Sequence, residues 1–262
     1  MTDLGGMANE DQVVDGSFAV WGAVSADDVA ALDRAAIGCG VSVAQLMEVA
    51  GWQVARCAWM HMDEQPGSVL VLAGHGNNGG DGLVAARHLR TWGCSVEVRV
   101  LADERSLSEL ATAHVASARA NGVEVTASSD GEGALATLRR PHDVVVDALL
   151  GTGLHAAPRE PAASVIRAID AAAQRVLSVD VPSGLDATTG EAYAPCVRAT
   201  WTCTLAAMKR GLWNDAWRLG APHCGEVWVA DIGIPLAAWR AIGLPRPAGV
   251  RGGALLQATT TS

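Results

Sequence analysis

Three loops hold the residues of this chain whose types and spacing suit chemistry. The first is GHGNNGGDG at 74–82, with five glycines and two asparagines around Asp81. Asn77 and Asn78 bring amides that both donate and accept hydrogen bonds. Gly74, Gly76, Gly79 and Gly80 allow tight turning and close approach of backbone to a ligand. A helix expected to begin near Asp81 adds unpaired N–H groups and a positive dipole end, a setting for phosphate or pyrophosphate. It is not the lysine-bearing nucleotide loop, because Gly80 stands where that lysine is needed. The second loop follows DVVVDALLGTGL at 143–154 and offers Asp147 and Gly151-Thr152-Gly153. The third is VLSVDVPSGLDATTG at 176–190, with Asp180 and Ser183. Carboxylates so placed suit general acid–base work. Together with amide and hydroxyl oxygens they also suit a hard cation. Ser183 lacks both a GxSxG elbow and a histidine placed as its base, so a nucleophilic serine is not expected.

These loops need a frame that brings them to one place. Ser25 with Asp28 reads as a capping box opening a helix with Val29, Leu32, Ala36 and Ile37 at helical spacing. A second helix is expected over 42–60. From residue 68 buried strands alternate with helices. Strands are expected at 69–73, 96–101, 123–125, 144–148 and 176–179, with helices at 83–92, 106–120, 133–139 and 162–173. Such alternation implies an α/β fold: a Rossmann-like three-layer α/β/α sandwich with a mainly parallel central sheet. Its crossovers are right-handed in nearly every known case, which puts all three loops at the carboxyl edge of the sheet, where open parallel sheets bind ligands. Strands at 200–205 and 227–230 read as edge additions. Residues 1–24 read as a flexible arm, 25–245 as a single domain, and 246–262 as a disordered tail.

Composition narrows the function classes. The chain has 262 residues, 50% of them hydrophobic and only 18% charged, so it is no disordered polymer. Nineteen basic residues against 28 acidic ones give a formal charge of −9, and no basic cluster stands out. A nucleic-acid or anionic-membrane surface therefore lacks its electrostatic footprint. No run approaches the roughly 20 apolar residues of a membrane helix. The opening residues lack a secretory pattern. The six cysteines form no metal-ligand spacing and read as reduced thiols of a cytoplasmic protein.

With these residues in view, the chain resembles the NAD(P)H-hydrate epimerases, the family of the YjeF N-terminal domain. The matching stretches are AQLMEVAG at 44–51, GHGNNGGDGLVAARHL at 74–89, VDALLGTGL at 146–154, SVDVPSGLDATTG at 178–190, MKRGL at 208–212 and CGEVWVADIGIP at 224–235. They run in the family's order from about residue 25 to 236. The resemblance implies interconversion of the R and S epimers of hydrated NADH and NADPH (NADHX and NADPHX). It implies substrate binding by Asn77, Asn78, Gly79, Gly80 and Asp81, by the loop Gly151, Thr152, Gly153, Leu154, His155, Ala156 and Ala157, and by Asp180. It implies one potassium ion per subunit, held by Asn78, Asp147 and Ser183, and a homodimer. Asp180 is the expected acid–base residue, with Asp147 mainly on the metal.

Departures are also visible: Val49 replaces the family's Asn, and 155–157 lack its basic residue, with Arg159 nearby. The family's Lys is kept as Lys209, which reads equally as a solvated loop charge. The chain stops short of the dehydratase domain of bifunctional relatives, so an ADP- or ATP-dependent dehydratase is expected as a separate protein. Two alternatives stay open: a non-catalytic nucleotide-binding module of the same fold, and an NAD-dependent dehydrogenase reading Gly74, Gly76 and Gly79 as GxGxxG with Asp103 or Glu104 on the ribose.

Overall fold

The computed structural model describes residues 14–15, 23–172, 174–213 and 223–259. Two capping boxes start the helical layer. Ser25 and Asp28 open α1 (Ala26–Gly38), and Ser42 and Gln45 open α2 (Val43–Met60). The strands are β1 (Val14–Asp15), β2 (Ser68–Ala73), β3 (Ser95–Val100), β4 (Glu124–Ala127), β5 (Val144–Ala148), β6 (Val176–Val179), β7 (Trp201–Leu205), β8 (Glu226–Ala230) and β9 (Leu255–Thr259). The remaining helices are α3 (Asn77–Thr91), α4 (Glu109–Ala120), α5 (Glu132–Leu138), α6 (Ala162–Ala172) and α7 (Leu236–Ala241).

The strands form one sheet in the order β1-β9-β8-β7-β6-β5-β2-β3-β4. Every pairing is parallel except β8 with β9. The period of two along β2 divides the core. Val69 and Val71 point to the face covered by α2, α3 and α4, among Val54, Leu83 and Val115. Leu70 and Leu72 point to the opposite face, under Leu138 of α5 and Ile166 of α6. A sheet buried on both faces explains why β2 and β5 are apolar throughout apart from Ser68 and Asp147.

From β2 the chain runs outward through β3 and β4, then returns to β5 and runs the other way through β6, β7 and β8. The order therefore reverses between β2 and β5. The loops leaving those two strands diverge and open a crevice at the carboxyl edge.

Three expectations need correction. Strands β7 and β8 are not edge additions: β8 has β7 on one side and β9 on the other, and β7 pairs with β6 and β8. The tail is not disordered up to residue 259, because Leu255–Leu256 and Gln257 pair antiparallel with β8 and Leu255 is buried. Gln53, buried in α2, fixes the approach to that strand by donating to the carbonyls of Asp231 (2.8 Å) and Gly253 (3.0 Å). The third correction concerns the Gly-rich loop and is taken up with the site. The arm expected at 1–24 falls largely outside the described residues; within it, β1 pairs with Ala258 and Thr259, and Val24 is bridged to Lys209.

All six cysteines are free thiols, five of them buried and Cys39 exposed. Among the described residues no helix is long and apolar enough to cross a membrane.

Candidate active site

The first acidic loop is shorter than its sequence suggests. Helix α3 begins at Asn77, so NNGGD forms its first turn and a half rather than a loop before it. The reason lies in packing. None of Gly79, Gly80 and Gly82 has a positive φ. A Cβ on Gly79 would lie 1.9 Å from the carbonyl oxygen of Gly74, and one on Gly80 would lie 2.4 Å from Sδ of Met47. These glycines let α3 press against the end of β2 and against α2. No side chain caps the helix, whose N-cap is Gly76, so its first N–H groups face the crevice unpaired by a side chain.

The crevice holds a cavity of about 600 Å³ lined by Asn77, Asn78, Asp81, Gly151, Thr152, Gly153, Leu154 and Asp180. Gly79 and Gly80 support it from behind without lining it. His155, Ala156 and Ala157 line a second cavity of about 520 Å³, together with Arg159. The two share His75, Leu149, Leu150, Gly153 and Leu154. The loop after β5 thus divides two compartments of one groove. Asp103 and Glu104 line neither: they pair with Arg105 and Arg119.

Asp180 leaves β6 in the left-handed region, at φ +68°, a conformation Asp tolerates better than most residues. That turn aims its carboxylate at the end of β7, where it accepts from the Leu205 N–H at 3.0 Å. It also pairs with the ammonium of Lys209, which donates as well to the Leu205 carbonyl. Lys209 is fully buried, so the loop-charge reading of this residue is wrong. A lysine held this deep requires a carboxylate partner. The backbone fixes it too: Val24 donates to the Met208 carbonyl at 3.1 Å, and Arg210 donates to the Val24 carbonyl at 2.9 Å.

Asp81 is buried, and burial pushes its carboxyl well above the ordinary range. Asp180 and Asp33 push it further, against the pull of Lys209. Burial thus favours the protonated form of Asp81, on the same cavity as a carboxylate held in an ion pair. This is the pattern in which two carboxyl groups divide acid and base roles.

Asp33 was missed by the sequence reading. It belongs to α1, lines the same cavity, and burial raises its carboxyl while Lys209 lowers it. A signal did exist. Val29, Leu32 and Ile37 line the cavity with it, and Asp33 stands on that face four residues after Val29.

Behind the cavity wall lies an oxygen-rich knot. Asp147, fully buried, accepts from Ser183 Oγ (2.6 Å), Ser183 N–H (2.9 Å) and Ser178 Oγ (2.9 Å). Leu150 N–H donates to Ser183 Oγ at 2.9 Å, and Asn78 Nδ2 donates to the Leu150 carbonyl at 3.0 Å. Hence Asn78, Asp147 and Ser183 do come together. The side-chain atoms these three could offer a cation are all oxygens, with one carboxylate that has no cationic side-chain partner among the described residues. Among those residues no group of three or more His, Cys, Asp or Glu is placed to hold a metal. An oxygen set with a single charge fits a weakly charged, hard cation better than a soft or multiply charged one.

The DATTG segment has a positioning job. Asp186 accepts from the N–H groups of Thr188 (2.9 Å) and Thr189 (2.8 Å), and Thr188 Oγ1 in turn accepts from Ala26 N–H at 2.9 Å. The third loop thus anchors the start of α1, the helix that carries Asp33.

Comparison with known proteins points to one family. Residues 43–211 match the model described as YjeF-related protein N-terminus. A protein of Dehalogenimonas lykanthroporepellens named NAD(P)H-hydrate epimerase is 40% identical over 218 residues, covering 81% of this chain and 82% of that one. A protein of Moorella thermoacetica named bifunctional NAD(P)H-hydrate repair enzyme Nnr is 39% identical over 203 residues, which span 72% of this chain and 36% of that one. The chain thus spans well under half the length of such bifunctional relatives. The crystal structure of the yeast protein ynu0, YNL200c, superposes with a TM-score of 0.76 at 26% identity, covering 90% of this chain and 99% of that one. In fold, in the stretch matched and in its similarity to these proteins, the chain belongs to the YjeF-related protein N-terminus family.

Proposed function

We propose that the protein is an NAD(P)H-hydrate epimerase, interconverting the R and S epimers of hydrated NADH and NADPH. The observation that carries this reading is the juxtaposition of Asp81, a buried carboxyl whose surroundings favour its protonated form, with the buried Asp180–Lys209 pair on one cavity at the reversal of strand order. Epimerisation needs the C–O bond of the hydrated carbon to break and re-form on the other face of the ring. Asp81 lends a proton to the departing hydroxyl, which leaves as water. The ring nitrogen's lone pair stabilises the resulting cation. Asp180, held by Lys209 and the Leu205 N–H, places negative charge beside it. Water returns to the opposite face, and the proton it loses passes through solvent back to Asp81, so no proton or electron is consumed overall. The uncapped start of α3 and the second cavity, with Arg159, suit the phosphates of the dinucleotide.

Asn78, Asp147 and Ser183 are the residues we assign to one potassium ion per subunit. Bound there, it supplies positive charge that offsets Asp147 and ties the loops after β2, β5 and β6 together. We also propose that the chain works as a homodimer in the cytoplasm, upstream of an ADP- or ATP-dependent dehydratase that consumes its product.

The test starts from a single R epimer and follows conversion to S by chromatography, against the slow spontaneous rate. The wild-type protein accelerates it, and Asp180→Asn, which strands the Lys209 ammonium and lowers stability, lowers turnover by about 10²–10³-fold in protein that circular dichroism shows to be still folded. A folded, nucleotide-binding protein without acceleration would instead mark a binding module on this fold.

A further inference from the structure

The two compartments of the groove differ in charge. The larger, of about 600 Å³, carries Asp33, Asp81 and Asp180 against Lys209 and Arg34. The smaller, of about 520 Å³, carries Arg159, Glu160, His75 and His155 on an apolar wall that includes Leu101, Leu154, Pro158 and Pro161. Glu160 brings no free charge to it. One carboxylate oxygen accepts from the Arg167 guanidinium (3.0 Å) and the other from the Ser164 N–H (3.0 Å), both on α6. Arg159 is the opposite case. Its carbonyl accepts from the Ala163 N–H at 3.0 Å, which fixes the backbone at the head of α6. Its side chain is exposed, and its guanidinium has no hydrogen-bond or ion-pair partner among the described residues. The acidic residues expected at a ribose, Asp103 and Glu104, are engaged elsewhere: each gives both carboxylate oxygens to an arginine, Arg105 or Arg119.

We infer that the smaller compartment takes the adenosine end of the dinucleotide and that Arg159 binds its 2′-phosphate, so that the protein prefers the hydrate of NADPH to that of NADH. The inference rests on the epimerase reading for the placement of the ring end: a ring that becomes cationic belongs beside Asp81 and Asp180. The compartments meet at His75, Leu149, Leu150, Gly153 and Leu154, so a molecule extended from the first reaches the second across that shared wall. The pyrophosphate then passes the uncapped start of α3. In nucleotide-binding α/β folds a carboxylate that accepts from the 2′-hydroxyl selects the unphosphorylated ribose, whereas an arginine accommodates the phosphate. On this compartment the one carboxylate is engaged and the guanidinium is free. A phosphate monoester presents several charged oxygens to the planar fork of an arginine, which a neutral hydroxyl cannot do. The apolar wall gives the adenine a face to pack on.

Isothermal titration calorimetry of the full chain with ADP-ribose and 2′-phospho-ADP-ribose tests this without turnover, since neither ligand carries the hydrated ring. The wild-type protein binds the phosphorylated ligand about 10-fold more tightly, the lower range for charge-assisted bonds because Arg159 is exposed. The ratio shrinks as salt rises. Arg159→Gln brings the two affinities together, Arg159→Glu reverses their order, and Arg159→Lys keeps part of the preference. The Arg159 side chain holds no hydrogen bond or ion pair among the described residues, so these variants stay folded, which their melting temperatures check. In turnover the same preference appears in KM for NADPHX against NADHX rather than in kcat. Equal affinities in the wild type, or binding of neither ligand, overturn the inference. So does a ratio that survives in Arg159→Gln, or one lost instead in Arg34→Gln, which gives the phosphate to the larger compartment. Equal weakening of both ligands in Arg159→Gln places the pyrophosphate at Arg159 and also overturns it. A preference set by Arg159 in a protein that turns over no epimer upholds the subsite and removes the epimerase reading instead.

Discussion

Replacing Lys209 by Met tests the core of the site at the point where its energetics are sharpest. Met preserves most of the lysine stem, so little volume is lost from a fully buried position. What disappears is the ammonium, with its bond to the Leu205 carbonyl and its ion pair with Asp180. Asp180 keeps the Leu205 N–H at 3.0 Å as a partner, and its side chain is only 11% exposed. Breaking a buried pair from one side costs about 3–5 kcal/mol, because the remaining charge stays desolvated. The retained N–H donor argues for the lower end, about 3 kcal/mol. For a domain of this size that lowers the melting temperature by roughly 6–12 °C. Urea titration and thermal unfolding measure it directly. Adding Asp180→Asn to Lys209→Met removes the stranded charge, so the double variant is more stable than the sum of the two single losses predicts. Strict additivity, or a melting temperature within about 2 °C of wild type in Lys209→Met, would show that the lysine is not paired as described.

Three further outcomes follow from separate features. Gly79→Ala forces a Cβ to 1.9 Å from the Gly74 carbonyl, so α3 must move off β2; a stability loss of at least about 1–3 kcal/mol is expected in chemical denaturation, with loss of nucleotide binding. Because the folded-state Asp81 carboxyl is raised above its usual 3.8, the folded protein binds more protons than the unfolded chain above that pH. Its contribution is therefore complete below about pH 3.8 and falls as pH rises toward the raised value, and the difference in melting temperature between wild type and Asp81→Asn should shift against the wild type as pH rises from 4. Potassium at 100 times its dissociation constant should stabilise the protein by about 2.7 kcal/mol relative to a bulky organic cation, a gain that Asp147→Asn abolishes; equal melting curves in both salts would remove the ion from the site.

Much of this was legible in the residues alone. The apolar runs of β2 and β5, separated by helical stretches, dictate a two-sided parallel sheet, because only strands covered on both faces lack alternation. Once that is granted, handedness brings the loops after β2, β5 and β6 to one edge, and Asn78, Asp81 and Asp180 with them. Composition could not show how the glycines of NNGGD are used. They read as a flexible loop, yet they are the small faces of a packed helix, since the space a Cβ would need is filled by Gly74 and Met47. Nor could local pattern place β7, β8 and β9, whose pairing is decided by partners distant in sequence. Lys209 is the clearest case. Nothing in Ala-Ala-Met-Lys-Arg-Gly distinguishes a buried lysine from a solvated one. Its burial depends on Asp180, 29 residues away in sequence, turning back at φ +68° to meet it. Side-chain type and period are local properties carried by each segment. The ion pair and the raised carboxyl of Asp81 arise from desolvation and from charges brought together by the closed fold, so they exist only once α1, α3 and the ends of β6 and β7 enclose one cavity.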